Sequence, residues 1–167
     1  MHNLVREGSL TKGYIQLVIF NLYEEEFGIN VNHVEEVLRL TRITHIPHTA
    51  EYVEGVINLR GEVIPVINLR KRFGIPDDID NEMKKRIIIV TIEGDKVGLI
   101  VDSVREVLQL PSKVVESPTE TVAGSKSEFL EGVGKYDDRL LIILKLDKII
   151  TTEERISLSE LQEWQEK

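Results

Sequence analysis

Side chains able to do acid–base, nucleophilic or metal chemistry are scattered along this chain and form no recognisable group. His45-Ile46-Pro47-His48 is the only close histidine pair. Pro47 denies it the helical spacing that metal sites often use, so two loop histidines are expected. Asp77-Asp78-Ile79-Asp80 lacks the glycine and the closing glutamate of a calcium loop and reads as a solvated connector. Ala123-Gly124-Ser125-Lys126-Ser127 has neither the first glycine nor the Gly-Lys-Ser/Thr order of a phosphate loop. There is no cysteine, which removes disulfides, thiol catalysis and thiolate metal sites, and no Gly-x-Ser-x-Gly elbow. Arg70-Lys71-Arg72 is short, is not interleaved with aromatics, and reads as a solvated helix face. The expectation is a chain without catalytic machinery, cofactor or metal, and the small-hydrolase alternative finds no nucleophile here.

What remains is recognition, and one stretch is built to present a side chain. In Val53 to Leu69, two β-branched runs flank Arg60-Gly61, with Gly61 free to take positive φ. This predicts a hairpin with Arg60 solvated at its tip. Gly55, at the head of the first strand, predicts a bulge or a close backbone approach. Pro65 cannot donate to a ladder, so it predicts an edge strand or a proline turned away from its neighbour.

The elements around the hairpin follow from spacing. Tyr14 to Leu22 reads as a strand, Glu24 to Glu26 as a charged turn and Phe27 to Val31 as a second strand. Val31, Val34, Val37 and Leu38 recur at helical spacing, and Asn32 with Glu35 forms a capping box, which predicts a two-turn helix. Asn68 is expected to cap a short turn ending at Gly74. The pattern then restarts. Gly28 lies over Gly98 at an offset of 70, and Glu36-Val37-Leu38 over Glu106-Val107-Leu108. Glu54-Gly55-Val56 lies over Glu131-Gly132-Val133 at an offset of 77, the difference being a polar insertion at 119–128. A duplication follows, repeat one at about 14–76 and repeat two at about 85–151, flanked by a lead-in at 1–13 and a helix at 152–167. Five short strands per repeat predict two small β-barrels side by side, mainly β with short helices, with strands able to cross the seam. In the tail, Leu158, Leu161 and Trp164 make an apolar stripe, capped by Ser157 with Glu160 or Ser159 with Gln162.

Composition narrows the partners. The 167 residues suffice for a substantial core. A net charge of −8 argues against nucleic acid or an anionic membrane as the main partner. No apolar run approaches the roughly 18 residues of a membrane helix, so a soluble, cytoplasmic protein is expected, without direct membrane insertion.

Phe27-Gly28-Ile29-Asn30-Val31, Val34-Glu35-Glu36-Val37, Glu54-Gly55-Val56-Ile57-Asn58-Leu59-Arg60-Gly61 and Pro65-Val66-Ile67-Asn68-Leu69 resemble the CheW family. So do Val97 to Asp102 and Asp138 to Ile142, and the resemblance runs from about Tyr14 to Thr151. It implies two five-stranded β-barrels of the SH3/OB-like kind and a non-enzymatic adaptor. Such an adaptor joins the cytoplasmic tips of methyl-accepting chemoreceptors to the regulatory domain of the histidine kinase CheA, in arrays at the membrane. A pilus-motility scaffold of the same fold is the other reading. By resemblance, Arg60 with Gly61, Gly55, Glu36 and Val34 fall at receptor-binding positions, and Val122 at a kinase-binding one. Ile43 and Ile46 are further kinase-facing candidates, as exposed-looking apolar residues beside Pro47.

Overall fold

Aliphatic and β-branched residues dominate the regular segments, and strands dominate the computed structural model, which describes residues 13–77, 82–117, 128–151, 153–155, 157–158 and 160. The strands are β1 Tyr14–Leu22, β2 Glu25–Asn30, β3 Val34–Arg39, β4 Val53–Leu59, β5 Glu62–Asn68 and β6 Arg86–Ile92. They continue with β7 Asp95–Val101, β8 Ser103–Pro111, β9 Val115–Glu116, β10 Leu130–Tyr136 and β11 Arg139–Leu144. Helix α1 spans Leu69–Arg72 and α2 Leu146–Ile149; a third, α3, begins at residue 153. One sheet runs β8-β1-β2-β11-β10-β9 and the other β3-β6-β7-β5-β4, forming the two lobes of a mainly β fold.

The duplication reappears as strand pairing. β1 and β2 pair with Ile19 opposite Gly28, and β6 and β7 with Ile89 opposite Gly98. Gly28 then lies beside Ile143 in parallel β11, and Gly98 beside Val66 in parallel β5. The offsets are the same 70 and 77. Each first hairpin is completed by strands from the other repeat, since β8 pairs with β1 and β3 with β6. Repeat and lobe therefore do not coincide. The glycines permit the tight pairing: a Cβ on Gly98 would stand 2.8 Å from Ile87 Cγ2.

Each lobe has its own interior, built from Leu17, Ile19, Leu110 and Ile143 in one and Ile57, Ile64, Val66 and Ile87 in the other. The opposite faces of the same strands meet in a third and larger cluster that includes Phe20, Ile29, Ile67, Ile88, Leu99 and Leu146. Phe20, Phe27, Phe73 and Phe129 run through it as a chain of ring contacts, with centroids 5.8, 6.0 and 5.5 Å apart. Being buried on both faces is why these strands read as near-continuous apolar runs.

Several expectations are corrected. The two-turn helix over Val31–Leu38 is a 3-10 turn at Val31–His33 followed by strand β3, and Asn30, not Asn32, caps it by accepting from the Asn32 N–H at 2.9 Å. The charged turn lies at Tyr23–Glu24, and Glu25 and Glu26 already belong to β2. Of the two readings of Pro65 the edge strand fails, since β5 is an inner strand; Pro65 sits opposite Val56, just before parallel pairing with β7 starts at Val66. The α1 cap holds as expected, Asn68 accepting from the Lys71 N–H at 3.2 Å.

The basic run on α1 is not a solvated face. Arg70 is buried and forks onto Asp102, with Nε and Nη2 at 2.7 and 2.6 Å from the two oxygens. Asp102 also accepts from the Tyr23 N–H at 2.7 Å, so one carboxylate ties three segments together. Arg72 lies over the Tyr52 ring, 4.6 Å from its centroid, and donates to the Ile149 carbonyl at 2.8 Å and to Glu154 at 3.2 Å.

Helix α3 starts earlier than its serines suggest. The Glu154 N–H donates to Thr151 Oγ1 at 3.2 Å, and the Thr151 N–H to Glu154 Oε1 at 2.9 Å, a reciprocal capping box. Tyr52 donates its hydroxyl to Glu154 as well. Burial, then this bond, pushes the Tyr52 phenol up to about 12. Burial acts to raise the Glu154 carboxyl, but the donors from Tyr52 and Thr151 and the Arg72 charge outweigh it and hold it below its usual range. Leu158 is buried in the shared core. Leu161 and Trp164, the rest of the expected stripe, lie outside the described residues, as does Gln162.

Candidate functional site

The hairpin tip is a two-residue turn between Leu59 and Glu62, with Arg60 at φ 52° and Gly61 at φ 85°. Both central residues are left-handed, as a type I′ turn requires. Gly61 takes the positive φ expected of it, and Arg60 takes one as well. Asn58 Oδ1 accepts from the Gly61 N–H at 3.0 Å.

From this tip the Arg60 guanidinium reaches Glu36 on β3 and forms a hydrogen-bonded ion pair. β3 and β4 stand at opposite ends of the five-stranded order, so the pair spans the gap where that sheet curls toward closure. The backbone closes the same gap one step away. Thr44 and Val56 exchange hydrogen bonds, N–H to O at 2.8 and 2.9 Å. The bond to Glu36, then its charge, raises the Arg60 pKa further above its ordinary value. The Arg60 side chain is 70% exposed and that of Glu36 31%. A pair this wet does little for stability, so its fork of donors stays open to a partner.

Gly55 is not at the surface. It is buried at φ 145°, with a register shift between Val53 and Gly55. A Cβ there would overlap the Thr44 carbonyl oxygen and stand 2.7 Å from its carbon. Its place is to let residues 44–45 lie against β4. Val34 is half-buried and faces the shared core with its strand partner Val90, and the register shift between Val34 and Glu36 turns Glu36 to the other face of β3, beside Ile89. Val34, Glu36, Arg60 and Gly61 thus belong to one edge of one lobe, with Gly55 beneath it.

The other candidates part company. Ile46 is only 4% exposed, and Ile43 is half-buried against the second lobe's interior. The exposed apolar face assigned to them is corrected: Ile46 is buried, and Ile43, next to the Thr44–Val56 bridge, packs on the lobe interior. Val122 lies outside the described residues. Among the described residues, no three or more His, Asp and Glu side chains converge as a metal site. A cleft of about 700 Å³ lies elsewhere, between residues 46–53 and α3, floored by Ile46, Val53 and Leu158.

The position matching Glu62 in the second hairpin is Arg139, and the charges are inverted there. Glu62 accepts from Lys96 at 3.1 Å, whereas Arg139 donates to Glu26 at 2.5 and 3.1 Å and to Glu106 at 2.8 Å. The Arg139 bond, opposed by burial, holds the Glu26 carboxyl below its usual range. Arg139 is thus held by two carboxylates with its side chain 26% exposed, whereas Arg60 has, among the described residues, the one ion-pair partner Glu36 and is far more exposed. Sequence reasoning missed Arg139 and Glu26, whose partnership rests on pairing residues 113 apart. Asn58 was legible in principle, as an Asx residue just ahead of a left-handed turn.

Two curled β-sheets, each built from strands of both repeats, with a charged tip at the seam of one, make up the architecture. The CheW-like domain model matches residues 16–154, and the chain belongs to the CheW family. It is 34% identical to the chemotaxis protein CheW of Treponema pallidum, over 87% of this chain and 88% of that one. It is 37% identical to chemotaxis protein CheW of Thermotoga maritima, over 81% and 87%. The crystal structure of the scaffolding protein TtCheW from Thermoanaerobacter tengcongensis superposes with a TM-score of 0.77 at 44% identity, covering 84% of this chain and 94% of that one.

Proposed function

We propose that this protein is a non-enzymatic chemotaxis adaptor that couples chemoreceptors to the histidine kinase CheA. The observation that carries the reading is Arg60: an exposed guanidinium on a tightly turned tip, paired to Glu36 across the lobe's closing seam. A receptor tip is a helical hairpin, and a fixed strand edge carrying a charged fork suits a helix laid along it. Val34 supplies the apolar contact. Arg60 supplies parallel donors for carboxylates or carbonyls on the helix, and Glu36 orients them. Gly55 acts from below by seating residues 44–45.

The regulatory domain of CheA is the second partner. Ile46 is too buried to touch it, so Val122 remains the named candidate on that side, with Ile43 reaching it only at its exposed rim. The adaptor carries no membrane helix of its own among the described residues; receptors bring it to the membrane. Co-sedimentation of the chain with receptor-containing membranes and CheA tests this. Wild type is expected to carry CheA into the pellet and Arg60→Glu to fail. A pellet with equal CheA in the presence and absence of the chain would refute the reading.

A further inference from the structure

We infer that Asn58 is a positioning residue for Arg60, an inference that rests on the receptor-coupling reading of that arginine. Arg60 stands at φ 52°, a region that its Cβ disfavours. Asn58 Oδ1 accepts from the Gly61 N–H at 3.0 Å. That N–H belongs to the peptide joining Arg60 to Gly61, so the bond fixes ψ of Arg60 and with it the direction in which the guanidinium leaves the tip.

The bond is not needed for the turn to form. Glu93 and Gly94 make a turn of the same kind, at φ 50° and 90°, and no side chain accepts from its backbone among the described residues. At the position matching Asn58 in the β10–β11 hairpin stands Lys135, which has no acceptor to offer. Nor does Asn58 fill the core, since it is exposed. A solvated side chain that closes only the turn carrying the exposed arginine serves presentation of that arginine. Without it the tip samples other turns, and the fraction able to bind falls.

The test titrates the full chain against a soluble cytoplasmic fragment of a methyl-accepting chemoreceptor. Asn58→Ala removes the acceptor, Asn58→Asp keeps it, and Arg60→Ala and the double variant N58A/R60A complete a cycle. Amide exchange at Gly61 is followed alongside. Asn58→Ala is expected to weaken binding roughly fivefold and to speed Gly61 exchange, with the melting temperature unchanged. Asn58→Asp is expected to restore both, and the double variant to bind as Arg60→Ala does. If Arg60→Ala binds like wild type, the receptor reading of Arg60 falls and the assigned role of Asn58 with it. If Arg60→Ala loses binding while Asn58→Ala does not, the inference alone is overturned. Unchanged Gly61 exchange in Asn58→Ala, or a double variant weaker than Arg60→Ala, overturns it as well.

Discussion

Replacing Gly55 by alanine is expected to cost more than any other glycine-to-alanine change at the hairpin. Two terms add. The backbone stands at φ 145°, where an L residue is strained by roughly 1–3 kcal/mol. The new methyl group would also overlap the Thr44 carbonyl, and residues 44–45 must retreat. That retreat breaks the pair of backbone bonds between Thr44 and Val56, worth about 1 kcal/mol each. The sum is about 3–5 kcal/mol, a large part of the roughly 5–15 kcal/mol that holds a domain together. At about 2–4 °C per kcal/mol for a domain of this size, the melting temperature should fall by about 10 °C. Thermal melts followed by circular dichroism measure it. Gly61→Ala is the control: its φ is 85° but nothing lies within 4 Å of the added atom, so strain acts alone, at about 1 kcal/mol. A Gly55→Ala protein melting within about 2 °C of wild type, or Gly61→Ala proving the worse of the two, would refute the argument.

Arg60→Glu should leave the melting temperature within about 2 °C, because the side chain is solvated, while abolishing receptor-fragment binding; a mutant that melts low yet binds normally would make Arg60 structural. Ile46→Asp should destabilise by about 3 kcal/mol in urea denaturation, since it puts a charge into a buried site; an unchanged midpoint would return Ile46 to the surface. Tyr52→Phe removes one donor from Glu154 and should loosen α3 by about 1 kcal/mol, seen as faster exchange at the Leu158 amide. The Glu154 carboxyl is held below its unfolded value, so its stabilisation is present above the unfolded carboxylate pKa and is lost as pH falls through the folded one. Acid should therefore release α3 as pH falls below the ordinary carboxylate range, and Glu154→Gln should erase that step; an acid transition identical in the two proteins would contradict the assignment.

Much of the architecture was legible because the duplication wrote it twice. β1 was read at its observed bounds, Gly55 as a bulge, and the offsets of 70 and 77 reappear as strand registers. The false helix has a physical cause. A 3-10 turn followed by a strand with a register shift between Val34 and Glu36 places Val31, Val34 and Val37 three apart, which copies a helical period. Val37, expected on the apolar helix face, is in fact 40% exposed on edge strand β3. Arg70 looked solvated because its neighbours are lysine and arginine. Its burial depends on Asp102, 32 residues away and brought close by the parallel pairing of β5 with β7, which sets Asn68 beside Ile100. The start of α3 fits the helix read at 152–167, but its cap was misplaced because Thr151-x-x-Glu154 and Ser157-x-x-Glu160 are equally good capping patterns on paper, and the Arg72 and Tyr52 contacts decide between them. The site was half legible. Arg60 and Glu36 were named from resemblance, but their contact needs the curl of a sheet that no local pattern reports.

The central claim is that an exposed arginine at a β-hairpin tip couples receptor to kinase. It is tested most directly by CheA autophosphorylation in receptor-containing membrane vesicles, with wild-type chain, Arg60→Glu or no chain added. Wild type is expected to stimulate strongly, with basal activity in the other two. Stimulation by Arg60→Glu equal to wild type, or none by wild type, would contradict it.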